Sequence, residues 1–372
     1  MRVYLDYAAT TPVVQAAKDA VNFYMDEYYN PSAAYLGARE VRVAIENARA
    51  DIARCIGADP EEIYFTSGAT EGNNIAIQGG MKIVRGRFIT AETEHHSVLN
   101  LTSLYPDNNY IVKVGYDGGI DMNDLRCALD TNDLVSIMLL NNEIGYIQPV
   151  ADIVKIVRKH KGVTHTDATQ AVGHIPIDCH ALGVDMLTAS GHKFGAPKGV
   201  GFIYIRKGFH VPPLTLGGGQ ENEFRSGTEN VCGIMAMAAA LKEAIEHIKE
   251  NSKHISEINR YFVAQLANSN IIYSINNGET NHYDGNLSIC FMNIRGEELV
   301  EFLSQNDIYV SSGSACNTHS DKPSHVLTAI GLTEEQAESS IRISIGNTTT
   351  KEDMDYLLQT LKFYIELRGD EG

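Results

Sequence analysis

Short runs rich in β-branched and aromatic residues alternate along this chain with stretches whose apolar residues recur every three or four positions. EEIYFTSG (61–68), RFITAE (87–92), LVSIMLLNN (134–142), VTHTDATQ (163–170) and DMLTASGHK (185–193) read as strands. ATEGNNIAIQGGMKI, HHSVLNLTSLY and ADIVKIVRKH, lying between strands, read as helices. This rhythm predicts an α/β fold, an open and mostly parallel sheet with helices on both faces. GVGFIYIRKG (199–208) is the most continuous apolar strand and is expected in the same sheet. Near residue 250 the texture changes. KEAIEHIKENSKHISEINRYFVAQLANS reads as one long charged helical stretch. IIYSIN, NLSICFMN, the helix EELVEFLSQN, SIRISIG and the final helix TKEDMDYLLQTLKFYIELRG follow it. Short strands followed by helices predict a smaller α+β domain.

Composition narrows the function classes. Of 372 residues, 30 are basic and 47 acidic, a formal net charge of -17. Phosphate-backbone contacts need clustered Lys and Arg, so a general nucleic-acid binder is not expected. No apolar run approaches the ~18 residues of a membrane span, and MRVYLDYAATTPVV lacks the h-region of a signal peptide. Cys55, Cys127, Cys179, Cys232, Cys290 and Cys316 include no CxxC pair. That scatter argues against a structural zinc site and a disulfide framework, and the expected compartment is a reducing cytoplasm.

Several strand ends carry candidate chemistry. In SGHKFGAPKGVG (190–201), Lys193 is either an ordinary loop lysine or a Schiff-base lysine whose amine condenses with an aldehyde cofactor. Ser190 and His192 beside it can grip a phosphate. Asp167 ends the preceding strand, where it either caps the next helix or keeps a pyridine nitrogen protonated. In TSGATEGNN (66–74), Gly68 permits a turn into a helix whose first N–H groups, at Ala69 and Thr70, attract an anion. His95 and His96 are adjacent, so they do not face the same way, and one ring can stack on a planar cofactor while the other caps or packs. Asn141 and Asn142 end another strand. Arg225, Ser226 and Thr228 are anion donors in a glycine-rich stretch. Arg342 sits inside an apolar strand, where it must pair with a structural glutamate or bind a substrate carboxylate. Cys316 lies in SSGSACNTHS (311–320), among residues too small or polar to bury it, as a reactive thiolate requires.

Taken together, YLDYAATTP, NPSAAYLGARE, FTSGATEGNN, TEHHSVL, NNEIGYIQPV, HTDATQAVGH, SGHKFGAPKGVGF, GGGQENEFRSGTEN, SSGSACNTHSDKPSHVL and SIRISIGNTTT resemble the class I (NifS/IscS-like) cysteine desulfurases over nearly the whole chain. The resemblance implies a fold-type I pyridoxal phosphate enzyme. Its large cofactor-binding domain would span residues 12–250. A small domain (1–11 and 251–372) would carry a mobile catalytic cysteine loop at about 311–323. By position, Lys193 matches the lysine that binds the cofactor, Asp167 the partner of the pyridine nitrogen, and Gln170 the residue at the phenolic oxygen. His95 matches the ring that stacks on the pyridine and moves protons. Ala69, Thr70, Ser190 and His192 match phosphate-side positions, and Thr228 a phosphate contact from the other subunit of a homodimer. Asn142, which also borders the cofactor, and Arg342 match positions near the substrate carboxylate. Cys316 matches the nucleophile that takes sulfur from L-cysteine as a persulfide, leaving L-alanine. The implied partner is a sulfur-acceptor protein serving iron–sulfur cluster, thio-cofactor or tRNA thiolation routes. An iron–sulfur scaffold among these would draw a cluster ligand from the Cys316 loop. Metal is not expected in the active site. Ala34 and Tyr35 stand where the family commonly has a Ser-His pair, and His319 and Lys322 where it has smaller or acidic residues. The alternatives are another fold-type I activity, as in a selenocysteine lyase or aminotransferase, and a non-catalytic sulfur-scaffold partner.

Overall fold

The structure, a computed structural model, describes residues 2–276, 278, 280–312 and 323–369. After β1 (Val3–Tyr4), seven strands form the main sheet. They are β2 (Ile63–Thr66), β3 (Phe88–Ala91), β4 (Asn109–Val112), β5 (Leu134–Ser136), β6 (Val163–Asp167), β7 (Met186–Ser190) and β8 (Gly201–Ile205), in the spatial order β2-β8-β7-β6-β5-β3-β4. Six run parallel, and β8 is antiparallel to both of its neighbours. β3 and β5 to β8 are buried at every position, as a sheet covered on both faces requires.

A second sheet has the order β12-β13-β10-β9, built from β9 (Tyr273–Ile275), β10 (Asn286–Phe291), β12 (Ser311–Ser312) and β13 (Ser340–Ser344). All of its pairings are antiparallel. β1 pairs in parallel with β11 (Ile308–Tyr309). Accordingly, Val3 and Leu5 join the apolar cluster of Phe262, Phe291 and Ile343. Ile52, Phe65, Phe202 and Leu241 belong to the cluster under the main sheet.

Local signals explain the elements. Helix Val150–Lys159 buries Val150, Ile153, Val154 and Val157, the three- and four-residue spacing of one helical face. Asp178 caps helix Cys179–Leu182 by accepting the Ala181 N–H, and Gly183, at φ 73°, ends it. Two expectations need correction. The run 134–142 is a strand only over Leu134–Ser136. Beyond it, Leu140 forms a lone bridge with Ile147, because the chain turns back through the Asn141–Gly145 loop. The long charged helix is two helices, Val231–Glu246 and Ile248–Ala267, meeting at His247.

Residues 5–15 are threaded across the C-terminal ends of the main strands. The Ala8 N–H donates to Ser344 Oγ, Thr11 N–H to the His192 carbonyl and Val14 N–H to the Gly195 carbonyl.

Candidate active site

The C-terminal ends of β2, β5, β6 and β7 open into a cavity of about 480 Å³, the usual place for a ligand in a sheet of this kind. β2 leads through Gly68 into helix Ala69–Met81, whose N-terminus has no side-chain cap. Its first N–H groups lack intrahelical partners and face a ligand of negative charge favourably. Gly68 has φ 153°, and Ser190 Oγ lies 3.4 Å from where its Cβ would be. A Cβ on Gly201 would stand 2.5 Å from the Ala189 carbonyl oxygen and 2.7 Å from Gly68 Cα. Glycine at 201 therefore lets β8 pass close beneath the turn.

Ten of the sequence candidates line this cavity: Ala69, Thr70, His95, Asn142, Asp167, Gln170, Ser190, His192, Lys193 and Arg342. Lys193 is carried by the single turn Gly191–Lys193 that follows β7. Its Nζ donates to the carbonyls of Ala8 (2.6 Å) and Ala9 (2.9 Å). Gln170 Nε2 also donates to the Ala8 carbonyl, at 2.8 Å. Asp167 ends β6, only 4% exposed. Its carboxylate accepts from Asn73 Nδ2 at 2.7 Å and from the Thr169 N–H at 2.9 Å.

His95 Nδ1 accepts the Ser97 N–H at 3.1 Å and lies 2.7 Å from Ser97 Oγ. Because Nδ1 is an acceptor, the ring proton sits on Nε2. Burial lowers the His95 pKa below the ordinary imidazole range; nearby Asp167 opposes this and Lys193 reinforces it. His192 is pushed down to about 4 by burial and by the charges of Lys193 and Lys198. Both rings are therefore neutral near pH 7. The other member of the histidine pair, His96, packs its ring against His325, centroids 4.6 Å apart.

Arg342, on β13, is 6% exposed. Nη2 meets Asp6 Oδ1 at 2.8 Å and Nη1 the Asn142 carbonyl at 3.1 Å, while Nε is buried with no hydrogen-bond partner. Its structural partner is therefore Asp6 and not the glutamate expected for it. Thr169 Oγ1, which also borders the cavity, is likewise buried and unpartnered. Thr228 is exposed and does not line the cavity. Ala34 and Tyr35 are exposed. Cys316, His319 and Lys322 lie outside the described residues.

Sequence reading missed Ala8, Ala9, Asn73, Ser97, Thr169 and Glu94. Asn73 is fully buried and bonds Asp167, Ser97 Oγ and Thr188 Oγ1 at once. A polar residue at the fifth position of a helix that otherwise buries alanine, isoleucine and glycine was its only signal. Glu94 is fully buried beside His95, and its Oε1 accepts the Met138 N–H. Burial, reinforced by the charge of Asp167 and opposed by the Met138 hydrogen bond, raises its carboxyl well above the usual range.

Comparison with known proteins agrees with this geometry. The aminotransferase class-V family matches residues 3–357. The chain is 43% identical over 373 residues to the cysteine desulfurase IscS of Dictyoglomus turgidum, covering 98% of this chain and 94% of that protein. It is 41% identical over 368 residues to a human cysteine desulfurase, covering 96% of this chain and 80% of that protein. A solved NifS-like protein superposes with a TM-score of 0.91 at 37% identity, covering 99% of this chain and all (100%) of that one. The NifS-like protein of Rickettsia africae gives 0.90 at 33% identity, over 98% and 100%. The chain belongs to the class-V aminotransferases, of fold-type I, and within them to the NifS/IscS-like cysteine desulfurases.

Proposed function

We propose that this chain takes sulfur from L-cysteine, releases L-alanine and holds the sulfur on Cys316 as a persulfide for an acceptor protein. The observation that carries this is convergence. An amine (Lys193), a fixed buried carboxylate (Asp167) and a buried guanidinium with an unpartnered Nε (Arg342) all face one cavity.

The residues present fit pyridoxal phosphate, the cofactor the family implies. An uncapped helix N-terminus under Gly68, with Ser190 and His192 beside it, suits the phosphate. Asp167, oriented by Asn73 and Thr169, would hold the pyridine N–H, with Gln170 toward the phenolic oxygen. Lys193 would hold the cofactor through its aldehyde, and neutral His95 would lie on the ring. When bound, the cofactor supplies a protonated ring that stabilises negative charge at the substrate α-carbon.

The chain's own groups then divide the work. The Arg342 guanidinium and Asn142 orient the substrate carboxylate. The Lys193 amine takes the α-proton. The Cys316 thiolate bonds to the substrate sulfur as the C–S bond breaks, and the carbon fragment takes up a proton to leave as alanine. His95, which lines the cavity, moves a proton at that stage. Cys316 follows Ser312 by four residues, so covalent reach alone keeps it within roughly 14 Å of that position. Neighbouring Ser311 lines the cavity.

A homodimer in the cytoplasm is part of this reading. Thr228 is exposed and free to reach another subunit, and Phe23, Tyr28 and Leu36 are 61%, 82% and 70% exposed around the first two long helices. Exposed apolar side chains of that kind support the reading of an interface. Among the described residues no helix is long and apolar enough to cross a membrane.

The test is chemical. Purified holoenzyme given L-cysteine and a thiol reductant should form L-alanine and sulfide in equal amounts. Borohydride treatment should leave the cofactor's mass on the Lys193 peptide. Cofactor on another lysine, or transamination that survives Cys316→Ala at the wild-type rate, would reject the assignment.

A further inference from the structure

The loop after β5 holds two parts of the molecule at once. Asn141 Oδ1 fixes it by accepting the N–H groups of Glu143 (2.8 Å) and Ile144 (3.0 Å). The Asn142 carbonyl accepts Arg342 Nη1. The next side chain, Glu143, accepts the Ser324 hydroxyl through Oε2 at 2.6 Å. Both partners are buried, Glu143 at 7% and Ser324 at 2% exposure. Ser324 in turn caps helix His325–Ala329 by accepting the Leu327 N–H. His325 Nε2 meets the Glu94 carbonyl at 2.9 Å. Val326, Leu327 and Ile330 pack against Ile144 and Tyr146.

Apolar packing holds this helix against the loop. A short hydrogen bond between buried groups is directional, and a carboxyl withdrawn from water is costly to keep there. Burial raises the Glu143 carboxyl to about 7; the Ser324 hydrogen bond and the nearby charges of Arg342 and His96 oppose the rise. An uncharged residue would avoid that cost if packing alone mattered. Ser324 is eight residues beyond Cys316. On the other side, Ser311 pairs in register with Arg342. Among the described residues, Ser311 before Cys316 thus pairs with Arg342, and Ser324 after it bonds to the loop whose Asn142 carbonyl accepts Arg342 Nη1.

We infer that Glu143 is a positioning residue for the sulfur-accepting cysteine: its bond to Ser324 fixes helix His325–Ala329, the first helix described after Cys316 in the chain, on the loop that also braces Arg342. The inference rests on the proposed role of Cys316.

Two quantities separate it from a general structural role. One is the cysteine concentration that half-saturates the absorbance change of the holoenzyme. The other is the rate at which sulfur mass appears on the Cys316 peptide in a single turnover. Glu143→Ala and Ser324→Ala should each slow sulfur arrival roughly tenfold while half-saturation stays within about twofold. Glu143→Gln keeps an acceptor for the Ser324 hydroxyl and should stay within about threefold of wild type. The double variant should be no slower than the slower single one, because both remove the same bond. Ser324→Ala leaves the acid in place and carries the test if Glu143→Ala does not fold. Wild-type sulfur arrival in Ser324→Ala, or a parallel loss of cysteine binding, overturns the inference. Wild-type enzyme that changes colour with cysteine but never sulfurates Cys316 overturns instead the function on which it rests.

Discussion

Asn73 and Asp167 meet side chain to side chain at 2.7 Å, one on the helix after β2 and the other at the end of β6, where it lines the cavity. The bond joins two elements that are far apart in sequence but adjacent at the site. It leaves the carboxylate with an amide donor on one oxygen and the Thr169 N–H on the other. Asn73→Ala removes the donor without touching any group proposed to contact the substrate. A hydrogen bond to a charged group is worth about 1.5–3 kcal/mol, so turnover should fall roughly 10- to 100-fold with the cofactor still bound. The check is kcat together with the cofactor absorbance of the purified variant. Full activity would show that Asp167 needs no such support.

The His95 ring gives a pH prediction. Burial depresses its pKa below 6.5, and the Ser97 N–H already donates to Nδ1, so a second ring proton has no acceptor there. A depressed histidine pKa means that the neutral form persists as pH falls. Its NMR titration, assigned by the resonance lost in His95→Gln, should have a midpoint below 6.5. A midpoint at or above 7 would contradict a neutral ring at work. His95→Gln should also lower kcat by about 10²-fold or more, the usual cost of losing a general acid–base group.

Part of this site was legible in the sequence, and the reason is topological. In a parallel sheet, successive strands deliver their last residues to one edge, so Asp167 and Lys193, each ending a predicted strand, had to meet. The strand runs themselves were legible from their β-branched and aromatic residues, most clearly in the unbroken apolar run of β8. Their supports were not. Asn73, and the Ala8 and Ala9 carbonyls that receive Lys193, act through contacts between residues distant in the chain, and no local pattern marks a backbone carbonyl as an acceptor. The run 134–142 read as one strand because apolar content continues past Ser136, although the pairing stops there. The break at His247 was hidden for a similar reason, since helical periodicity continues on both sides of it.

The proposed dimer predicts complementation. Thr228 stands outside its own cavity, so its proposed phosphate contact is made in the neighbouring subunit. If Thr228→Ala homodimers are impaired, mixing them with Lys193→Ala chains should place one intact site in each heterodimer. Activity should then return to as much as about a quarter of wild type, the statistical yield of such sites after random exchange. Sedimentation should show a dimer at micromolar concentration. A monomer, or no recovery once exchange is demonstrated, would reject sharing across an interface.

The central claim is that Cys316 receives the sulfur, and the other thiols supply the controls. Burial raises the Cys179 and Cys290 thiols above their usual range and Cys55 to about 11, so none of these is a thiolate at neutral pH. Cys127 is exposed and competes on accessibility alone. Mass spectrometry of peptides after a brief pulse of L-cysteine separates these cases directly. The account predicts one added sulfur on the peptide holding Cys316, with Cys55, Cys127, Cys179 and Cys290 unmodified. It also predicts loss of both alanine and the added mass in Cys316→Ser, because a hydroxyl is a far weaker nucleophile than a thiolate. Sulfur on Cys127 or any other cysteine while Cys316 stays unmodified would contradict it.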